Sequence, residues 1–312
     1  MLKKSPRIAV LGTGAIGGFY GAKLAQSDAS VSFIARSDYN KIAKDGLEIT
    51  SKWGDFHVMP EVYPAPSAYP HQADYILVTL KVLPEVPLIE MLGPLIKADT
   101  AIVLLQNGID IEDAIAKAYP DTPLYSAISF VCANRISPGH IHHIDYGQVV
   151  MGRYPKGSDD MGDILCTLFQ KSGIPCKSVP DIRFYRWRKL VWNAAFNPLS
   201  VLGGGVTTDT ILANPKSREL VAQLMAEIVT LSIADGYALP FDIIASQIHD
   251  TEKMVPYKTS MLLDFEHHRP MEIDAIVGNA CKIARHYQVS TPYLDAIYAL
   301  LELLNQSQIQ TQ

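Results

Sequence analysis

The apolar run Ile8-Ala9-Val10-Leu11 passes without a spacer into Gly12-Thr13-Gly14-Ala15-Ile16-Gly17, and a helix-like stretch from Gly18 to Gln26 follows. A strand that enters a helix through a glycine turn directs free backbone N–H groups at one spot, and that spot suits a pyrophosphate. The glycines carry separate demands: Gly12 the tight turn, Gly14 close approach of the backbone to phosphate, Gly17 close packing of helix on strand. A tight turn is the simpler reading of three glycines. The strand before and the helix after make dinucleotide binding the better one.

Further strand-like runs recur through the first half, at Val31 to Ala35, Tyr75 to Leu80, Ala101 to Leu105 and Leu124 to Ala133, with helical or loop segments between them. That alternation predicts a parallel sheet with helices on its faces. Short alternating segments, Ile141 to Ile144 and Gln148 to Met151, read as antiparallel strands closing this region, and Asp163 to Phe169 as a helix. From about Asp181 the pattern is helical: Phe184 to Asn197, Lys216 to Gly236, Phe241 to Met254, Met271 to Gln288 and Leu294 to Asn305, with Pro215, Pro240, Pro270 and Pro292 at or beside the starts. The polar tail Gln306 to Gln312 is expected to fray. The fold class expected is therefore α/β: an N-terminal Rossmann-type domain with a parallel sheet over residues 1–180, then an all-α C-terminal domain over residues 181–312.

The residue that distinguishes NAD from NADP lies about 20 positions past the glycines. There the chain offers Arg36, and a guanidinium can pair bidentately with a 2′-phosphate where a carboxylate would repel it. Asp38 is near enough to keep NAD open, and a solvated surface arginine is the plain reading of Arg36, but NADP is the cofactor expected. The net charge of −5 gives no basic field for nucleic acid. No apolar run approaches the ~18 residues of a membrane span, and the N-terminus does not read as a signal peptide. Four scattered cysteines, Cys132, Cys166, Cys176 and Cys281, read as reduced thiols and lack metal-ligand spacing. The pairs His142-His143 and His267-His268 point their rings apart, so no metal site is predicted. A cytoplasmic enzyme is expected.

In the helical half, Lys189, Asn193 and Asn197 fall at i, i+4 and i+8 within Arg186-Trp187-Arg188-Lys189-Leu190-Val191-Trp192-Asn193-Ala194-Ala195-Phe196-Asn197-Pro198-Leu199, which puts them on one helix face. Asparagine is a poor helix former, so a polar stripe of this kind either cross-links neighbouring helices or binds something. Glu272 and Asp274 after Pro270 could be first-turn acids favoured by the helix dipole. Lys81 and Asn107 fall just past the carboxyl ends of predicted strands, where open α/β sheets bind ligands, although Asn107-Gly108 is also a good turn and Lys81 could be a plain surface lysine.

These pieces, with Thr79-Leu80-Lys81, Gln106-Asn107-Gly108, Trp187-Arg188-Lys189-Leu190, Asn197-Pro198-Leu199, Ser260-Met261-Leu262-Leu263-Asp264 and Glu272-Ile273-Asp274, resemble the ketopantoate reductase (2-dehydropantoate 2-reductase) family, in order and spacing from about Arg7 to about Leu304. The resemblance implies NADPH-dependent reduction of ketopantoate to pantoate in pantothenate biosynthesis. It makes Lys189 the general acid, Glu272 the carboxylate that holds the substrate hydroxyl, and Ser260, Asn193, Asn197 and Asn107 substrate contacts. Asn107, Lys81 and Arg36 join the glycine turn as cofactor contacts, and Asp264 would orient the polar set. The partner implied is a small 2-oxo acid, and a homodimer is compatible with the family. Two positions depart from it: Tyr257 stands where the family commonly has asparagine, and Gly203-Gly204-Gly205 leads to Thr207-Thr208 where another asparagine is common. A reductase of a different small 2-oxo or hydroxy acid is therefore a second reading. An NADPH-sensing binding protein without turnover is a third, because a Rossmann-type domain does not by itself prove catalysis.

Overall fold

The computed structural model describes residues 5–310. The chain divides into two compact units, one formed by residues up to Gln106 together with Glu112–Ile182, the other by Asn107–Ile111 together with the chain from Arg183 onward.

The first unit holds β1 (Arg7–Leu11), α1 (Ala15–Leu24), β2 (Ser30–Ile34), α2 (Tyr39–Asp45), β3 (Leu47–Ser51), β4 (Phe56–Val58), β5 (Glu61–Tyr63), β6 (Tyr75–Val78), α3 (Leu88–Leu92), β7 (Ala101–Leu105), α4 (Asp113–Ala118), β8 (Leu124–Ser137), β9 (His140–Arg153), α5 (Asp160–Lys171) and β10 (Cys176–Ser178). They make one sheet in the order β4-β3-β9-β8-β7-β6-β1-β2-β5, with β10 paired to β9. Every pairing is parallel except β3 with β4 and β8 with β9. The sheet is thus mostly parallel, as the strand-helix alternation predicts. From β1 the chain moves outward to β2 and β5, then returns to the other side of β1 for β6, β7 and β8. The glycine turn after β1 therefore stands at the reversal point of the strand order, where open α/β sheets bind ligands.

Two predicted short strands, 141–144 and 148–151, are one strand, β9. The alternation breaks there because Gly147 (φ 138°), next to Tyr146 (φ 60°), is skipped in the pairing with β8, not because the chain turns. The short strands β3, β4, β5 and β10 were not predicted.

The glycine turn is built as its residues require. Gly12 has φ +106°, and its carbonyl accepts from Thr79 Oγ1 at 3.1 Å. A Cβ on Gly17 would lie 2.1 Å from the Gly12 carbonyl oxygen and 2.3 Å from Thr79 Oγ1, so α1 can pack on β1 only if Gly17 stays a glycine. The same closeness extends along the helix: Cβ atoms on Gly18 and Gly21 would strike Ile141 at 2.7 Å and Phe33 at 2.5 Å.

The second unit holds α6 (Ile182–Leu202), α7 (Thr208–Ala213), α8 (Pro215–Ala234), α9 (Ile243–Glu252), α10 (Ser260–Glu266), a π turn at Asp274–Gly278, α11 (Asn279–Tyr287) and α12 (Pro292–Gln310). It is the all-helical region expected, with differences in detail. α6 runs through Pro198 to Leu202 instead of stopping at Asn197. The predicted helix 271–288 is interrupted by the π turn, and the tail is helical to Gln310, with 311–312 outside the described residues. No helix among the described residues is long and apolar enough to cross a membrane.

The core of this unit is built from α6, α8 and the π turn with α11, and it contains Ile109 with no exposed surface. The start of its last helix is secured by a carboxylate: Glu227 of α8, 9% exposed, accepts from the backbone N–H groups of Tyr293 (2.9 Å) and Leu294 (2.8 Å) and so caps α12 from outside.

Two stability measurements follow. Glu227→Ala leaves two donors at the start of α12 unpaired and should lower unfolding stability by about 2 kcal/mol, read as a lower urea midpoint, with Glu227→Gln losing less because its amide oxygen still accepts. In the ligand-free protein Gly17→Ala should lower the melting temperature, whereas Gly14→Ala, which has nothing within 4 Å of its Cβ position, should leave it unchanged.

Candidate functional site

Helix α1 begins at Gly14, which is exposed and in extended conformation, and no side chain caps its first turn. No acidic residue lies in that turn. The first N–H groups of α1 therefore have no side-chain cap and no acid of their own turn beside them, and a Cβ on Gly14 would meet nothing within 4 Å, a fit to the phosphates of a dinucleotide. Thr13 is buried, Ala15 and Ile16 half-buried and Gly17 buried beneath the turn.

Arg36, two residues past β2, is exposed. Asp38, the nearby carboxylate that left NAD open, is 1% exposed and held by the Arg135 guanidinium, by Ser37 Oγ (2.8 Å) and by the Gly139 N–H (3.3 Å). Burial alone would raise its carboxyl, but these bonds win and hold it below the usual carboxylate range. Asp38 thus serves the internal structure. Its partner lies 97 residues along the chain, which is why the sequence did not disclose the pairing. Lys81 is half-buried, three residues past the end of β6.

The polar stripe of α6 forms as its spacing predicts, and within the helical unit it meets two of the other candidates. The Lys189 ammonium donates to Asn107 Oδ1 at 2.8 Å, and Asn107 Nδ2 donates to Glu272 Oε2 at 3.4 Å. One amide therefore joins a cation and an anion. Burial, aided by the nearby Arg186 charge, pulls the Lys189 ammonium down to about 8, against the smaller opposing effect of Glu272. An ammonium in that range is charged at neutral pH and gives up its proton readily.

Asn107 is placed by its neighbours in sequence. Ile109 N–H donates to the Ala275 carbonyl (3.1 Å), Asn279 Nδ2 donates to the Ile109 carbonyl (2.7 Å), and Arg186 donates to the Gly108 carbonyl (2.9 Å). Gly108 has φ +103°, and a Cβ there would sit 2.5 Å from the Ala275 oxygen, so the segment packs directly against backbone. The π turn begins two residues after Glu272, and within it the Asn279 N–H bonds to Asp274 O, five residues back. Widened turns of this kind recur at functional sites.

Farther along α6, Asn193 is 6% exposed and Asn197 1% exposed. Both side-chain atoms of Asn197 are buried without a hydrogen-bond partner, a costly state that suits a group reserved for a ligand. Ser200 Oγ donates to the Asn197 carbonyl (2.8 Å) and meets Thr259 Oγ1 (2.6 Å), and Thr259 caps α10 through the Leu262 N–H. Ser260, the first residue of α10 and exposed, is thus tied through Thr259 and Ser200 to Asn197. Asp264, expected to orient the polar set, pairs with Arg269 at 3.1 Å. Of the two departures, Tyr257 lies 6.4 Å from the Trp192 ring, and Thr207 Oγ1 meets Thr210 Oγ1 at 3.2 Å.

Sequence reasoning assigned no role to Arg186, which is 2% exposed; its one visible signal was a second basic residue three places before Lys189. His143, weighed as a metal ligand, has both ring nitrogens engaged, with Ser51 Oγ at 2.8 Å and the Tyr146 carbonyl at 2.7 Å.

The family model described as ketopantoate reductase PanE/ApbA matches residues 8–156, and that for the ketopantoate reductase PanE/ApbA C terminal matches residues 181–305. The 2-dehydropantoate 2-reductase of Nostoc sp. is 38% identical over 306 residues, covering 96% of this chain and 95% of that protein. Among solved structures, the 2-dehydropantoate 2-reductase from Methylococcus capsulatus superposes with a TM-score of 0.91 at 41% identity, covering 97% of each chain. That from Geobacter metallireducens gives 0.91 at 33% identity, covering 96% of this chain and 99% of that one. With both parts of the sequence matched in order and the fold shared along its length, the chain belongs to the ketopantoate reductase family and is an oxidoreductase.

Proposed function

We propose that this protein reduces ketopantoate (2-dehydropantoate) to pantoate with NADPH, as a cytoplasmic step of pantothenate biosynthesis, and that Lys189 is its general acid. The observation that carries this reading is the Lys189 ammonium, drawn down to about 8 and joined through the Asn107 amide to Glu272. The division of labour is that of the family: residues 1–180 hold NADP and residues 181–312 hold substrate and acid.

A bound nicotinamide supplies the hydride for C2 of the 2-oxo acid. As negative charge grows on the carbonyl oxygen, the Lys189 ammonium stabilises it and passes over its proton, which completes the alcohol. Asn107 Oδ1 keeps the ammonium in place while its Nδ2 steadies Glu272. Glu272 accepts from the hydroxyl of the substrate and so selects an acid that carries one. Ser260 donates to the substrate carboxylate, and Asn193 and Asn197 add donors beside it. The orphaned Asn197 amide supports this assignment.

For the cofactor, Gly12 to Gly17 receive the pyrophosphate at the start of α1, Arg36 pairs with the 2′-phosphate, and Lys81 and Asn107 contact the nicotinamide end. Support for NADP over NAD comes from Asp38. A carboxylate buried against Arg135 cannot accept from a ribose hydroxyl, which leaves the exposed guanidinium of Arg36 as the specificity group. A different 2-oxo acid is the second reading, favoured by the Tyr257 ring beside Trp192 where the family commonly has an amide.

The test is NADPH consumption with ketopantoate and a panel of other 2-oxo acids: no turnover of ketopantoate by the wild type overturns the substrate assignment. Lys189→Ala should lower kcat by roughly 10²- to 10⁴-fold with little change in KM. The acid must carry its proton, so wild-type kcat should hold below about pH 8 and fall above it, and this limb should vanish in the variant. Arg36→Ala should raise KM for NADPH by about tenfold or more while leaving that for NADH nearly unchanged, since an exposed charge-assisted pair to phosphate is worth about 1.5 kcal/mol or more.

A further inference from the structure

Along α6, Arg183, Arg186 and Lys189 are spaced three apart, and each donates to the segment 107–111 that lies beside them. Arg183 pairs with Asp110, Arg186 Nη1 donates to the Gly108 carbonyl at 2.9 Å, and Lys189 Nζ to Asn107 Oδ1 at 2.8 Å. Arg183 is itself held by Asp235, which also accepts from Trp187 Nε1 at 2.7 Å. The middle cation is 2% exposed, and the carbonyl it donates to is the backbone group next to Asn107.

We propose that Arg186 is a positioning residue for Lys189: its guanidinium fixes the carbonyl next to Asn107, hence the amide oxygen that receives the ammonium, and sets a second buried cation one helical turn from it. This role deepens the reading of Lys189 as the general acid and rests on it. The charges that act on Lys189 include Arg186 from its own helix and Glu272 from the stretch before the π turn. Asn107, from the segment between them, is neutral. Arg186 and burial loosen the ammonium's proton and Glu272 tightens it. Without Arg186 the attraction of Glu272 would be opposed less, and the acid would transfer its proton more reluctantly.

The test reads Lys189 directly, in the full-length protein labelled with carbon-13 at lysine Cε, its resonance assigned by loss in Lys189→Ala. Arg186→Gln keeps a donor for the Gly108 carbonyl and removes the charge; it should raise the Lys189 midpoint by about half a pH unit or more and carry the alkaline limb of kcat upward with it. Arg186→Lys keeps the charge and should hold the midpoint near the wild-type value while weakening kcat through the lost fork. If the glutamine variant does not fold, Arg186→Met, apolar and of similar length, reads the same shift. An unmoved midpoint in the neutral variant, or an equal rise in the lysine variant, overturns the role. A moved midpoint in a protein that never turns over ketopantoate sinks the proposed substrate and leaves Arg186 standing; turnover with an unmoved midpoint does the reverse.

Discussion

The burial of one isoleucine organises the chemistry of this protein. Ile109 has no exposed surface and sits in a core otherwise made of helices, with its N–H and its carbonyl both bonded to the stretch 275–279. A buried isoleucine contributes about 1.5 to 3 kcal/mol and each backbone bond about 1 kcal/mol, and together they anchor the segment 107–111 at its middle. Two positions upstream, Asn107 has little freedom left. Its single amide then brings together a lysine 82 residues away and a glutamate 165 residues away. The cation and the anion never need to find each other, because both are referred to the same anchored group.

Stability and function pull against each other at several points in the helical unit. The Asn197 amide is buried without a partner, and two cations, Arg186 and Lys189, share a small volume. None of these helps the unit fold. The orphaned Asn197 amide makes sense if its partner is a bound carboxylate, and such local violations of good packing are characteristic of sites that bind ligands. The opposite economy holds for Asp38 and Asp235, whose carboxyls are kept ionised by arginines and serve only to lock neighbouring segments together.

How far the sequence could be read depended on the distance over which each feature is determined. The strands around the glycine turn are short apolar runs bounded by breakers, and local pattern suffices for them; so does the stripe Lys189, Asn193, Asn197, which needs only helical spacing. Proline at the starts of α8 and α12 marked those helices correctly. β9 was divided because a bulge at Tyr146 and Gly147 interrupts alternation just as a turn would. The strands β3 to β5 carry mixed polar faces and take shape only through pairing in the sheet. The π turn after Glu272 exists because the Ala275 carbonyl receives Ile109, a contact no periodicity encodes. Most telling is Asp38: from sequence it competed with Arg36 for the ribose, and a partner on β8 withdrew it.

The membership of residues 107–111 in the helical unit has a consequence for dissecting the molecule. A fragment cut at the apparent domain boundary and expressed from Arg183 onward would be synthesised without its own keystone: the Ala275 carbonyl, the Asn279 amide and the Arg186 fork would each confront a groove where backbone belongs. On the ribosome, likewise, this half needs a pentapeptide made long before it, so the two halves are interlaced in time as well as in chain order.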